Sequence, residues 1–275
     1  MSTITKSFDR RTFVKLAGVA AAGALVCEAK LEAEPGAISL FDGKTLDGWI
    51  DLEKNDTVAG WIVKDGAMAS TGSGRGVLYT AKDYSRYRLM FTMRHVSGAP
   101  DHQACVLIFC TRPSGDDKPL DALGGIQFQV PNGGHWDYRP GRNTAGGPEF
   151  TTITKGQVDV HAWSRVEILA DAAKGTARMA VAQPPGSKAI EVLDFGDPTA
   201  GKVGPIAWQM HNAGLFDEYK DVTIEVDPKD DASLISFQRR LEAKGGRFFL
   251  DATQLRTEKL DAVLKVYKRK ATKDN

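Results

Sequence analysis

Two short segments of the chain place uncharged hydrogen-bonding side chains on one side of an apolar strand. In the first, Gln127 and Gln129 alternate with Ile126, Phe128 and Val130. Side chains of a β-strand point alternately to opposite faces, so the two amides share one face. Amides both donate and accept hydrogen bonds, and this chemistry suits a neutral ligand that is rich in hydroxyl groups. The alternative is that these glutamines are solvated or hold loops in place.

The second segment adds a group that can move a proton. Gln209 and His211 alternate with Trp208 and Met210, and Asn212 follows directly. Imidazole takes up and releases protons near neutral pH, which makes His211 a candidate general base. We therefore interpret Gln209 and Asn212 as candidate ligand contacts beside a catalytic histidine.

Two further histidines lie in polar surroundings. His135 and Trp136 follow a pair of glycines, and we interpret this stretch as a loop on the rim of a ligand site. In that position His135 is a second candidate base and Trp136 a candidate ligand contact, while an anchoring role for the histidine is the alternative. His102 stands between an aspartate and a glutamine, so it is a candidate contact from a neighbouring strand end.

The sequence does not assign a metal site. None of the five histidines belongs to a His-Glu-x-x-His motif or to a comparable ligand spacing. A divalent cation would have to be held by residues from separate strands. A divalent metal is thus an open alternative without an assigned ligand set, and no other cofactor is indicated.

Composition and charge exclude several classes of function. The 275 residues carry 36 basic and 35 acidic side chains, for a net charge of +1. This balance gives no overall field that would attract nucleic acid or an anionic surface, and a neutral ligand fits best. Cys105 and Cys110 lie in an apolar run where we expect them on opposite faces of a strand, so no disulfide is predicted.

The first 29 residues have the features of an export signal. Arg10 and Arg11 precede a phenylalanine and a lysine, and an alanine-rich apolar stretch, 16–26, comes next. The stretch is too short to span a bilayer, and the arginine pair matches the twin-arginine export pattern. We expect residues 1–29 to be removed and the mature protein to be periplasmic or extracellular. Lipid modification of Cys27 is the alternative, although a bulky valine precedes it.

The region 37–228 is predicted to be all-β. Short runs such as 165–170, 176–182 and 190–195 are separated by turns, without a long helical period. We expect two antiparallel sheets that pack face to face. Residues 229–275 are basic and show helical spacing of apolar residues. For them we expect a short helical extension that packs on the sandwich, binds an acidic partner or joins the subunits of a homo-oligomer.

Four blocks of sequence resemble one known family. They are residues 38–49, 76–79, 125–130 and 204–212, in this order along the chain. Together they are similar to the 3-keto-disaccharide hydrolase family, long known as domain of unknown function 1080. The resemblance implies a concanavalin-like jelly-roll sandwich whose concave side holds sugars. Many members carry an acidic residue where this chain has Gln127, which speaks against a role that needs a carboxylate there.

The resemblance also implies how the bond is cleaved. When carbon 3 of a sugar is a ketone, the proton on carbon 2 is acidic, so one base can start elimination of the group on carbon 1 before water adds back. His211 or His135 would be that base, and Gln127, Gln129, Arg75 or a metal would stabilise the enolate oxygen. The acidic pair of ordinary retaining glycosidases has no counterpart as a Glu-x-Asp-x-x-Glu run. A non-catalytic carbohydrate-binding module is the alternative.

Overall fold

The described part of the chain is all-β, which confirms the predicted class. The computed structural model describes residues 36–53, 59–101, 104–114, 122–152 and 158–229. These residues lie within the compact unit Leu31–Asn275. Their strands are β1 (Ala37–Ser39), β2 (Trp49–Glu53), β3 (Trp61–Lys64), β4 (Ala67–Ser70), β5 (Gly76–Thr80), β6 (Arg86–Ser97), β7 (Ala104–Ile108), β8 (Ile126–Gln129), β9 (His135–Asp137), β10 (Phe150–Thr152), β11 (Ser164–Asp171), β12 (Thr176–Ala182), β13 (Ile190–Gly196), β14 (Ala207–Met210) and β15 (Phe216–Val226).

The strands form two antiparallel sheets. The six-stranded sheet has the order β2-β5-β14-β7-β8-β9. The nine-stranded sheet has the order β10-β13-β12-β11-β6-β15-β4-β3, and β1 pairs with β15 outside this path. Strands that are distant in sequence are therefore neighbours, so β14 lies between β5 and β7 and brings Gln209 beside segments from the first half of the chain.

The core lies between the two sheets and is rich in aromatic side chains. Trp208 of the six-stranded sheet stacks on Tyr219 of the nine-stranded sheet, with ring centroids 4.8 Å apart. Trp49 stacks on the other side of this cluster, 5.4 Å from Trp208, and its indole nitrogen donates to Leu40 O. Burial of one such side chain contributes about 3 kcal/mol, so these rings hold the sheets in a fixed relation.

Sequence alternation predicted the inner faces of the strands correctly. Tyr87, Leu89, Phe91 and Met93 on β6 are all buried between the sheets, as their spacing indicates. The apolar run of β7 is buried on both sides, because its inner residues belong to the core and Leu107 on its outer side clusters with Leu123 and Tyr138. The other side of β6 differs from a solvated face, since Arg88 is also buried.

The strand alternation fails at one cysteine. β7 ends at Ile108, and Phe109 has a φ of 55°, so the direction of the following side chain changes. Cys110 consequently packs against Leu107 and Ala207 on the outer side of the six-stranded sheet, the side that Cys105 shares with its partner Gln209. Neither Cys105 nor Cys110 forms a disulfide. The expectation of opposite faces was wrong because the strand is shorter than the apolar run.

Two predicted regions lie outside the described residues, namely the export signal, 1–29, and the helical extension after 229. Within the described ranges, no helix has the length and apolar character that a membrane span requires.

Candidate functional site

The strand positions on the outer face of the six-stranded sheet are uncharged and combine amides with aromatic and apolar groups. Register places Gln127 beside Leu107 and Trp136, and it places Cys105 between Gln209 and Gln129. We call this surface the amide face, and its strand positions are Ile50, Leu52, Val77, Tyr79, Cys105, Leu107, Gln127, Gln129, Trp136, Ala207 and Gln209. None of these strand positions carries a carboxylate.

A pair of buried amides lies at the centre of the amide face. Gln127 Nε2 donates to Gln209 Oε1 across 2.5 Å, although β7 separates the two strands that carry them. Gln127 is 2% exposed and Gln209 is fully buried, so neither is a solvated surface residue. Among the described residues, Gln127 Oε1 has no hydrogen-bond partner. An unpaired buried acceptor costs about 1–3 kcal/mol, which a hydroxyl donor from a ligand would offset.

His211 lies at one end of the same face and contacts a tyrosine. The residue follows β14 directly and is half-buried. Its Nδ1 is 3.4 Å from the hydroxyl of Tyr138, whose ring packs against the apolar part of the amide face. Tyr138 also lies 5.9 Å from the ring of Trp136. The histidine, the tyrosine and the tryptophan thus surround the amide pair on one side of the sheet.

An ion-pair cluster fixes the segment that carries Trp136 and Tyr138. Asp137 points inward and accepts hydrogen bonds from the backbone and the guanidinium of Arg139. The same guanidinium reaches Asp197 Oδ2 at 2.8 Å, and the hydrogen bonds to Asp137 and then to Asp197 raise the pKa of Arg139. Hydrogen bonds from Thr199, together with Arg139, lower the pKa of Asp197 to about 2. These ion pairs fix the end of β9, the strand that places Trp136 beside Gln127.

The remaining predicted contacts lie around the edge of the amide face. Gln129 is half-buried, and its Oε1 would lie 1.7 Å from a β-carbon placed on Gly134, so the side-chain amide lies close against this glycine. Asn212 is half-buried beside His211, and Arg75 is exposed just before β5. These positions border the same end of the sheet because β5 and β14 are paired.

The placement of His135 differs from the prediction. The residue belongs to β9 and not to a loop, and its ring stacks on Phe150 of the nine-stranded sheet at 4.1 Å. Alternation along β9 directs His135 inward and Trp136 outward. Burial lowers the pKa of His135 and favours the neutral ring. The interpretation of this histidine as a rim residue was therefore wrong, and its geometry favours the anchoring alternative.

Sequence reasoning missed Tyr138 as a site residue. The available signal was its spacing of two from Trp136, which predicts a shared face. The interpretation of the stretch as a loop hid that periodicity. His102 lies outside the described residues, so its proposed contact has no structural counterpart here.

The outer face of the nine-stranded sheet offers a different kind of chemistry. Arg88 contacts Glu167 at 3.0 Å and also pairs with Glu225, while Arg178 pairs with Glu191 at 2.8 Å. We call this surface the charged face, and its strand positions include Arg88, Thr92, Arg165, Glu167, Arg178, Glu191, Asp194, Glu218, Thr223 and Glu225.

A cavity of about 240 Å³ opens on the charged face. The basic side chains in its wall already have acidic partners. Arg86 lies 3.6 Å from Asp171, Lys174 lies 3.3 Å from the same carboxylate, and Arg178 binds Glu191. Charges that neutralise one another are typical of a structural network, so the cavity is a weaker candidate site than the amide face.

The described ranges contain no group of three or more His, Cys, Asp or Glu side chains arranged to hold a metal ion. The amide face can instead offer hydrogen bonds, an imidazole and flat aromatic surfaces. Such groups match a neutral polyhydroxylated ring, which presents hydroxyl groups at its edge and C–H groups on its faces.

Among solved structures, the chain is similar to three carbohydrate-related proteins. A Parabacteroides distasonis protein with a provisional description as a glycosyl hydrolase shows 17% identity over 70% of this chain and 94% of that chain, with a TM-score of 0.45. A carbohydrate-binding module from Bacillus subtilis shows 11% identity over 65% of this chain and 95% of that chain, with a TM-score of 0.45. The calcium-bound exoplasmic/lumenal domain of VIP36 shows 7% identity over 73% of this chain and 93% of that chain, with a TM-score of 0.43.

The comparison with curated proteins gives no match. The comparison with protein families does, and residues 36–225 match the family described as the 3-keto-alpha-glucoside-1,2-lyase-like domain. This range includes all four blocks on which the resemblance was based and covers more than two thirds of the chain. The chain therefore belongs to the family of 3-keto-alpha-glucoside-1,2-lyase-like domains.

Proposed function

We propose that the protein is an enzyme that cleaves the glycosidic bond of 3-keto-glycosides, with the sugar bound on the amide face of a concanavalin-like jelly roll. The observation that supports this most directly is the convergence of His211, Tyr138 and the buried Gln127–Gln209 pair on that face. Together these groups provide one base and several neutral hydrogen-bonding partners for a sugar ring.

The chemistry needs one proton acceptor and an environment that stabilises an enolate. The base removes the proton from carbon 2, and the electron pair of that C–H bond makes the enolate of the carbon 3 ketone. The enolate then collapses and expels the oxygen on carbon 1, which leaves with the C–O electron pair and takes up a proton. Water adds across the new double bond between carbons 1 and 2, and the net result is hydrolysis.

We assign the role of base to His211. Its Nδ1 faces the hydroxyl of Tyr138, a contact that fixes the orientation of the ring. The Gln127–Gln209 pair binds the hydroxyl or ketone oxygens of the sugar, and Trp136 borders the ring. Because the negative charge on the enolate is delocalised, neutral donors fixed in place can stabilise it without a strong acid.

A cleavage by two carboxylates fits this face poorly. Retaining and inverting glycosidases use two acidic side chains on either side of the scissile bond, about 5–10 Å apart. The strand positions of the amide face hold glutamines where such groups would be needed. An elimination route requires only the base that the structure provides.

The second candidate is a carbohydrate-binding module without catalysis. The observation that favours it is the burial of both amides, because their exposed fractions of 2% and 0% leave them covered in this conformation. A sugar would reach Gln127 only after the groups above it move, whereas a sugar bound at the rim would contact Trp136, Tyr138 and Asn212 alone.

We also propose that the protein acts outside the cytoplasm. Support comes from the Arg10–Arg11 pair and the apolar stretch that follows. Replacement of both arginines by lysine should keep the protein in the cytoplasm of a host with a twin-arginine pathway, measured by cell fractionation. Secretion that persists unchanged would contradict this route. The extension 229–275 is a candidate homo-oligomer contact, and light scattering of a chain that ends at 229 would test it.

The function is tested with the purified chain from Lys30 onward. It is incubated with an aryl 3-keto-glucoside and with the matching unoxidised glucoside, and release of the aryl alcohol is followed with and without chelator. Release from the keto sugar alone supports the proposal, and chelator sensitivity would add a metal to it. Binding without release of either aryl alcohol would favour the non-catalytic module.

A further inference from the structure

A histidine–aspartate pair is sealed inside the sandwich, close to the turns that carry the candidate site residues. His95 near the end of β6 and Asp217 near the start of β15 have fully buried side chains, with His95 Nδ1 2.7 Å from Asp217 Oδ1. The other ring nitrogen, Nε2, lies 3.2 Å from the carbonyl oxygen of Gly98. A ring nitrogen that faces a carbonyl must donate, and a carboxylate on the second nitrogen favours a proton there too.

These two contacts favour an imidazolium–carboxylate ion pair, while burial raises the pKa of Asp217 and opposes its ionisation. The hydrogen bond that His95 donates to Asp217 is the main reason that the pKa of His95 is raised. Asp217 Oδ2 has no hydrogen-bond partner among the described residues, so His95 is the group that compensates the buried charge. Loss of the imidazolium would leave a carboxylate in an apolar environment, which is strongly unfavourable.

Hydrogen bonds connect this pair to the turn 211–215. The backbone nitrogen of Asp217 donates to Ser70 Oγ at 2.7 Å, and Ser70 Oγ donates to Leu215 O at 3.0 Å. The neighbouring Gly214 N donates to Gly72 O at 2.9 Å. The last residues of the turn are thus bound to β4 and to the turn 71–75, which leads to Arg75.

Two more turns meet at the same place. A β-carbon on Gly98 would lie 2.1 Å from Gly214 O, and Gly98 has a φ of 115°, so the two turns touch in a way that only glycine allows. From the turn 158–163, His161 Nδ1 donates to His95 O at 3.1 Å. The ion pair accordingly lies where three turns pack around the segment that begins with His211.

We propose that His95 and Asp217 are positioning residues that fix the turn 211–215, and with it His211 and Asn212, at the end of the amide face. Neither side chain reaches that face, because both point between the sheets. This inference rests on the proposed function, because the position of His211 affects activity only if His211 is the base. The geometric part of it, an ordered turn, is measurable without any substrate.

The first experiment replaces the charge and keeps the shape. Asp217→Asn removes the ion pair, and Glu167→Gln removes a carboxylate of similar burial on the charged face as a matched control. Both are assayed at a temperature where they are fully folded. For Asp217→Asn we expect kcat to fall about 10-fold with KM changed less than about 2-fold, since a base displaced by a fraction of an ångström loses rate before it loses binding.

A milder pair of variants covers the case in which Asp217→Asn does not fold. Ser70→Ala removes the hydroxyl that bridges Asp217 N and Leu215 O. Thr80→Val removes a hydroxyl that forms the same kind of bridge, between Ile206 N and Lys82 O. Thr80 lies at the end of β5 that is farther from His211. We expect Ser70→Ala to lower kcat about 3-fold and Thr80→Val to leave it unchanged.

Amide hydrogen exchange provides the readout that does not depend on activity. In Asp217→Asn and Ser70→Ala, the amides of 212–215 should exchange faster than in the parent, while Glu167→Gln and Thr80→Val should leave them unchanged. Equal exchange in all variants, or an equal loss of kcat in the controls, would overturn the positioning role. If the parent does not cleave the keto sugar, the proposed function fails and the exchange comparison still decides this inference.

Discussion

The two outer faces of this sandwich use polar side chains in opposite ways. On the charged face, Arg88 lies between Glu167 and Glu225, so this buried cation has two partners of opposite sign. On the amide face, Gln127 and Gln209 satisfy one hydrogen bond between them, and one buried oxygen is left over. Opposite charges that pair with one another stabilise the fold, whereas a buried neutral acceptor can take a hydrogen bond from a hydroxyl group of a ligand. A buried neutral acceptor can therefore indicate a site as well as a charged group can.

The strongest way to break this comparison is to remove the proposed base. His211→Gln keeps a side chain of similar length that can still hydrogen-bond the hydroxyl of Tyr138. We expect kcat on the aryl 3-keto-glucoside to fall by about 10²–10⁴-fold, the contribution of general base catalysis. The midpoint of thermal unfolding should be unchanged, because His211 is half-buried and follows the end of β14. Retained activity would remove His211 from the mechanism.

The converse change belongs on the charged face. Glu167→Ala removes one of the two carboxylates that pair with the buried Arg88, and Glu225 remains as the other. We expect the free energy of unfolding, measured with urea, to fall by about 1–3 kcal/mol. Activity per folded molecule should stay at the level of the parent. A selective loss of activity in a fully folded sample would assign a catalytic role to the charged face.

A charge placed on the amide face should be rejected. Gln127→Glu puts a carboxyl group in a buried position that has no described cation beside it. Burial will raise the pKa of this carboxyl group above the ordinary value for glutamate, which is about 4.3. Stability relative to the parent is therefore best at low pH and declines as pH rises through that range, by about 1–3 kcal/mol at pH 7. Urea unfolding at pH 4 and pH 7 measures this, and a loss that is greater at pH 4 would contradict it.

A smaller effect is expected at Tyr138. Tyr138→Phe removes only the hydroxyl that faces His211 Nδ1, and the ring keeps its packing on the apolar part of the amide face. Loss of one hydrogen bond of about 1 kcal/mol predicts a fall in kcat of about 5-fold. Steady-state kinetics with Tyr79→Phe as a second tyrosine on the same face provides the control. An unchanged kcat would mean that the contact does not orient the base.

The smallest predicted effect separates the two histidines that sequence reasoning treated alike. Burial lowers the pKa of His135, so the unfolded chain takes up this proton first as pH falls through 6.5. Stability of the parent should therefore decrease from pH 7 to pH 5 by more than that of His135→Phe, which cannot be protonated. Thermal unfolding at both pH values measures the difference. Activity at pH 7 should survive this substitution, in contrast to His211→Gln.

The face that a side chain occupies was predicted correctly where polar and apolar residues alternate with a clear period of two. Tyr87 to Met93 and the pair Gln127 and Gln129 have a clear period of two, and their faces were predicted correctly. The glycines before His135 hid the short strand β9. The inward direction of the His135 side chain and the outward direction of Tyr138 were therefore missed. Cys110 was misplaced because a single φ of 55° at Phe109 cannot be read from the apolar run.

Contacts between distant segments were beyond the sequence for a different reason. The sequence identifies Gln127 and Gln209 as polar positions but contains no signal that β14 lies one strand away from β8. The His95–Asp217 pair is likewise a product of topology, since its members are 122 positions apart. Alternation predicts which way a side chain points, and strand order decides what it meets.

The central claim is that the sugar binds on the amide face, and a ligand complex tests it most directly. We would determine the crystal structure of the His211→Gln variant, from Lys30 onward, with the aryl 3-keto-glucoside bound. The account predicts a sugar ring beside Trp136 and Tyr138, with one of its hydroxyl groups donating to Gln127 Oε1. A sugar in the cavity lined by Arg86, Asp171 and Asp194 on the charged face would contradict it.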